Sequence, residues 1–262
     1  MYDGMELRFA PVIVNASQMQ RGEHYVRVSE RLFVHERFGR TDWAVTLDAR
    51  HHPRGVQYCV PAAVRAVVHA YERPGSVICG FSALAAYGLP YLVEGADTTL
   101  RAAVGNCSPA SEFTPAVARL RAPHNETWTL THRGISLRAA NPARATVQAL
   151  QQVRRGEHAW QTEQVLGMDC TTVRAIQLLD CVRRHLRLQV SEIRSAAAGQ
   201  IDQRWLSKVL KHSRATADSP KETEMRLLLQ PVAKRCGVTL VEQYSLIIDG
   251  KVVTTFDFAV PE

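Results

Sequence analysis

The sequence predicts an α/β protein of the α+β kind, with small mixed sheets and helices. Three observations predict it. Between Ser76 and Arg138 the apolar residues recur with a period near two, as strands require. From Asn141 onward the period becomes helical, with turn residues between the runs. The last forty-odd residues read as one helix and then two β-rich runs joined by Asp249-Gly250.

The elements follow in order. Residues 25–28 and 32–35 (YVRV and LFVH) form a short hairpin, with Arg27, Arg31 and Arg37 in or beside it. Residues 6–15 read as a strand. Residues 61–71 form a helix that opens on Pro61 and stops before Pro74-Gly75. Strands are expected at 77–79, 98–104, 117–121, 127–131 and 135–138, and a short helix at 81–87 ends at Gly88-Leu-Pro90. Asn141 is an N-cap and Pro142 takes the first helical position. Helices are expected at 142–155, 158–167, 171–187, 190–198 and 202–214, with Thr171 and Ser191 as caps. Ser219 caps a last helix, Pro220 occupies its first position and Glu222 stands where a capping box needs it. That helix ends at Gly237. These elements divide the chain into 1–75, 76–215 and 216–262.

Composition narrows the class. The chain has 262 residues and a 46% apolar share, enough for a packed core. Lys+Arg is 32 against 25 Asp+Glu, a formal charge of +7. Only five of those bases are Lys, so 27 are Arg. Arginine forks onto phosphates and guanines, so the balance favours a polyanion. No apolar run spans a bilayer and the start carries no leader pattern, so the expected setting is the cytoplasm, with no membrane partner. Six widely spaced cysteines contain no CxxC, which excludes a disulfide framework and a structural zinc site as expectations. Cys79 and Cys236 are expected to be buried and inert.

A two-residue Asp-Gly turn sets the hairpin register. Counting outward, Ile248 faces Lys251, Leu246 faces Val253, Tyr244 faces Thr255 and Glu242 faces Asp257. Val241, Ile247, Val252, Phe256 and Phe258 then form the core-like side. Two carboxylates directly opposed repel unless a cation compensates. Either they form part of a divalent-metal site, or a bulge separates them and both are solvated.

The stretch Ser219-Pro-Lys-Glu-Thr-Glu-Met-Arg-Leu-Leu-Leu, with Gln243, Asp249-Gly250 and Asp257-Phe-Ala-Val-Pro-Glu262, resembles the DUF559 branch of very-short-patch-repair-like endonucleases, in the PD-(D/E)XK superfamily. Cys79 to Pro90 and Asn141-Pro-Ala-Arg-Ala-Thr146 resemble the middle of the same actinobacterial-type proteins, described as AbiEi-antitoxin-like with a winged helix in front. The likeness covers about residues 20–262. It implies that Asp257 is a metal ligand and the catalytic aspartate, that Glu222 helps hold the metal, and that the cofactor is Mg²⁺. Mg²⁺ polarises a phosphodiester and activates water, and several carboxylates must share it. Glu242 joins this set by register. The family pattern continues after Pro-Glu with a strand bearing Glu-x-Asp-Gly and a His, whereas this sequence stops at Glu262. The expected C-terminal unit is therefore an incomplete restriction-endonuclease-like one. Gln20 to Val28 and Leu32 to Glu36 resemble the wing of the winged helix.

Basic residues supply the rest. Arg183, Arg184, Arg204, Lys208, Lys211 and Arg214 lie on late helices, and Arg204, Lys208 and Lys211 share one face at helical spacing. With Arg27 and Arg31 they are the expected contacts to double-stranded DNA. Trp128, Trp160 and Trp205 read as packing residues, His51-His52 as a loop pair, and Phe81-Ser82-Ala83-Leu84 as close helix packing rather than a nucleophile. The expected function is a DNA-binding regulatory or defence-associated protein, antitoxin-like, without complete nuclease chemistry. Two alternatives stand beside it: a Mg²⁺-dependent endonuclease completed by residues beyond Glu262 or by a partner, and an interaction module that binds a toxin partner.

Overall fold

A computed structural model describes residues 3–9, 11–103, 107–119 and 126–261. Glu262 and the far ends of the expected strands 98–104 and 117–121 lie outside the described residues. The protein is a mixed α+β fold. Among the described residues the strands run as β1 (Met5–Glu6), β2 (Ile13–Asn15), β3 (Tyr25–Arg27), β4 (Leu32–His35), β5 (Val77–Ile78), β6 (Thr99–Ala102), β7 (Ala116–Arg119), β8 (Thr127–His132), β9 (Ile135–Ala140), β10 (Val241–Ile248) and β11 (Lys251–Ala259). The helices are α1 (Asp42–His51), α2 (Ala62–Glu72), α3 (Gly80–Ala86), α4 (Pro142–Arg154), α5 (Cys170–His185), α6 (Val190–Ala197), α7 (Gln203–His212) and α8 (Pro220–Cys236).

The largest sheet has six strands in the order β1-β8-β9-β5-β6-β7. It mixes parallel pairs (β1 with β8, β9 with β5, β6 with β7) and antiparallel ones (β8 with β9, β5 with β6). Helices α2 and α3 pack on it, then α4 on α3, α5 on α4, and α8 on α5. One apolar core runs through these layers, from Leu7 through Phe81 and Ile176 to Leu227. It crosses both expected boundaries, at 75/76 and at 215/216. A second cluster of Val28, Val34, Val60, Val64 and Val68 ties the three-stranded sheet β2-β4-β3 to α2.

Local signals account for most of the starts. The Asn141 side chain accepts from Arg144 N with Pro142 at the first helical position. The Ser219 hydroxyl accepts from Glu222 N at α8. Two expected caps are displaced: Asp169 and Gln189 cap α5 and α6, in place of Thr171 and Ser191. The hairpin β3–β4 forms as expected, pairing Tyr25 with His35 and Arg27 with Phe33. Helices α1 and α2 follow it in the chain. Among the described residues the only helical turn ahead of it is the 3₁₀ turn Ala16–Gln18.

Two expectations are corrected, and one helix has no counterpart among them. The helix at 158–167 is absent, since distant groups take up this segment. His158 donates to Leu92 O at 2.8 Å, Arg174 Nε donates to Trp160 O at 2.8 Å, and Glu163 N donates to the Glu224 carboxylate. A backbone satisfied by side chains of α5 and α8 has no need of a helical ladder. Helix α1, unread in the sequence, buries only Val45, so no apolar stripe announced it. Cys236 is exposed at the end of α8, while Cys79 is buried and its thiol is pushed up to about 12 by burial. Trp128, Trp160 and Trp205 pack on the core as expected.

Candidate nucleic-acid interface and C-terminal acidic groups

The Asp249-Gly250 turn forms with both residues at positive φ, +50° and +73°, as a type I′ turn requires. Ile248 pairs with Lys251 as counted. The register then slips. Ile247 pairs with Val252 but Leu246 pairs with Thr254, so Val253 is an extra residue in β11. From there every pairing is displaced by one: Tyr244 with Phe256, and Glu242 with Phe258. The expected Glu242–Asp257 opposition does not form. The core-like side is lost as well, since Ile247, Val252 and Phe256 are exposed.

The slip sorts the three acids expected to share Mg²⁺. Glu242 turns to the Thr216 hydroxyl, and its carboxylate lies 3.5 Å from Arg226 Nε. Glu222 accepts from Asp218 N and Ser219 Oγ, both at 2.9 Å, which ties it to the residues just ahead of its helix, while Ser219 is the cap. Gln243, at φ +51°, sends one carboxamide NH₂ to both remaining acids: 3.1 Å to Glu222 Oε2 and 3.4 Å to Asp257 Oδ1. Glu222 and Asp257 are thus brought to one amide, and Glu242 is taken away. Among the described residues no group of three or more His, Cys, Asp or Glu is placed to hold a metal. The oxygens on hand for a hard cation are these two carboxylates, and the Gln243 carbonyl if its amide turns.

Beneath the acids lies a buried ion pair that spacing along the chain did not reveal. Asp180 on α5 accepts from Arg226 Nη2 at 2.7 Å, Thr223 Oγ1 at 2.9 Å and Arg214 N at 2.6 Å. Asp180 and Arg226 are both fully buried. The pair locks α5 to α8, and Arg226 passes on to Glu242 at the base of the hairpin.

The expected DNA-binding residues fall into two groups. Several are already engaged. Arg27 donates to Ser29 O and Glu30 O and stacks on Phe113 at 4.6 Å. Arg183 donates to Ser213 Oγ at 2.9 Å. Arg184 pairs with Asp218 at 2.5 Å, and Arg214 donates to Lys211 O and Ser213 O. By contrast, Arg31, Arg204, Lys208 and Lys211 are exposed, and among the described residues none forms an ion pair. The α7 face buries Leu206, Val209 and Leu210, which leaves the cations outward. Arg194 of α6, unremarked in the sequence, joins them by donating to Ser207 Oγ at 3.4 Å. The field here is positive: His212 is held below the usual imidazole range by burial and then by the charges of Lys211, Arg226, Arg214 and Lys208. Such a face attracts anions, although Asp169 feels the charge of Lys208 and Asp202 caps the start of α7. Among the described residues no helix is long and apolar enough to cross a membrane. Compared with protein-family models, with curated proteins and with solved structures, the chain matches none.

Proposed function

We propose that this protein binds double-stranded DNA through phosphate contacts from the α6–α7 face, as a regulatory or defence-associated protein without a complete nuclease centre of its own. One observation carries the reading: Arg194, Arg204, Lys208 and Lys211 project from adjoining helices, and none of them has an acidic partner within ion-pair distance among the described residues. Four phosphates neutralised by them give a log–log salt slope of about −3.6. Fluorescence anisotropy on a short labelled duplex between low and moderate salt tests it. Steep loss of affinity is the expected result, and salt-independent binding counts against it.

The shared approach of Glu222 and Asp257 to Gln243 favours a second reading, a Mg²⁺-dependent endonuclease. Two carboxylates hold such an ion weakly, and a partner would have to supply the rest of the coordination. Incubation of plasmid with Mg²⁺ separates the readings. Cleavage that disappears in Asp257→Ala establishes the enzyme; no cleavage with either protein leaves the binder.

A further inference from the structure

A cavity of about 430 Å³ opens between the β6–β7 edge, the start of α3 and the end of α4. That size lies within the range of small-ligand sites. Its wall holds Gln152, whose geometry is set from three sides. Gln152 Nε2 donates to Thr99 Oγ1 at 3.1 Å. Gly80 stands at φ +53°, and a Cβ added there would sit on the Gln152 carboxamide oxygen. Gly80 N is itself held by Gln148 Oε1 at 2.9 Å. The Thr99 bond fixes the amide nitrogen, and among the described residues the Gln152 oxygen is buried with no hydrogen-bond donor. A buried acceptor left unpaired is destabilising, so native proteins keep few of them.

The charges around the cavity are not balanced in the same way. Arg54 is bound to Asp97 at 2.6 Å and to Ala110 O. Burial opposes ionisation of Asp97, but hydrogen bonds from His52 and Tyr58 and the charges of His52 and Arg54 hold it below the usual carboxylate range. That pair cancels. Among the described residues Arg155 meets only Glu157, at 3.5 Å and in solvent. Arg101 lines the cavity, and among the described residues its side chain has neither ion pair nor hydrogen bond. Its charge does reach the neighbouring Cys79. The opposite wall is apolar, with Pro109, Ala110 and Val117.

We propose that this cavity binds a nucleoside monophosphate whose base carries an exocyclic amine. The amine donates to Gln152 Oε1, the base lies on the Pro109–Val117 wall, and the phosphate meets the Arg101 and Arg155 guanidinium groups. Arginine forks suit a phosphate in this role. Nothing in this assignment uses the α6–α7 face.

Isothermal titration calorimetry tests it, with AMP, CMP, purine riboside monophosphate, adenosine and inorganic phosphate as separate probes. AMP or CMP is expected to bind one to one. Purine riboside monophosphate, which presents neither an amine nor an N–H at that edge, is expected to bind at least about tenfold more weakly, because it leaves the Gln152 oxygen unpaired. Adenosine and phosphate alone are each expected to lose at least about tenfold. Arg101→Ala, and Arg155→Ala as a second variant, should weaken the nucleotide about tenfold and leave adenosine unchanged, with unaltered circular dichroism. No binding of AMP or CMP at millimolar concentration overturns the proposal. So does equal binding of AMP and purine riboside monophosphate, or nucleotide binding that both folded variants retain.

Discussion

Arg226 and Arg204 are the same residue type on two helices of the same half of the chain, yet their surroundings set them opposite tasks. Arg226 is fully buried, gives a 2.7 Å bond to Asp180 and approaches Glu242. Arg204 stands in water on α7, with Lys208 and Lys211 on the same face and no ion pair among the described residues. One charge is consumed in joining α5, α8 and the hairpin base. The other remains available to an anion. A count of +7 cannot distinguish them, and only the free set bears on binding.

The contrast can be broken first at its buried end. Arg226→Ala leaves the Asp180 carboxylate buried without its cation, a change that costs about 3–5 kcal/mol. Urea denaturation should show that loss. A cost under about 1 kcal/mol would mean that the pair is not a fastening. Asp180→Leu with Arg226→Met should be far milder than Arg226→Ala, since no lone charge remains.

Acid comes next. His158 is buried against Phe81 and Trp160, and burial lowers its pKa to about 4, with the bond to Leu92 O opposing. Its ordinary value is near 6.5, so the unfolded chain takes up the proton first as pH falls. The stability is full above about 6.5 and is lost progressively down to about 4. The total is roughly 3 kcal/mol. His69 and His132, also lowered by burial first, act with the same sign. Urea midpoints at pH 7 and pH 4.5 should differ accordingly, and His158→Phe should flatten the difference. An unchanged midpoint would contradict the burial assigned to His158.

Smaller still is the cap. Asn141→Ala removes the 2.8 Å acceptor of Arg144 N and should cost about 1 kcal/mol by thermal melting. At the exposed end, Arg204→Glu with Lys208→Glu and Lys211→Glu should change stability by less than about 0.5 kcal/mol per site. A large loss there would show that these cations serve the fold after all.

How far each feature could be read from the sequence follows how local its cause is. Asn141, Ser219 and Asp249-Gly250 act within four residues, and all three behave as their types predict. The basic row on α7 was legible because helical spacing alone places Arg204, Lys208 and Lys211 together. The segment 158–167 was not legible, because its hydrogen bonds come from Arg174, Glu224 and Leu92, far along the chain. The bulge at Val253 left no mark in the alternation of β11, yet it moves Glu242 from Asp257 to Arg226. The Asp180–Arg226 pair spans 46 positions, and nothing local announces it. Gln243, which joins Glu222 to Asp257, became visible only once that slip had placed it.

The free cations of α6 and α7 are the part of this account on which the function rests. The most direct test compares the salt dependence of duplex binding for the unaltered protein and for Arg204→Glu, Lys208→Glu and Lys211→Glu combined. Plotted as log affinity against log salt, the slope should fall in magnitude by about 0.9 for each phosphate contact removed, roughly 2.7 in all. Circular dichroism should stay the same. An identical slope and affinity in the folded triple variant would contradict the assignment of this face to DNA.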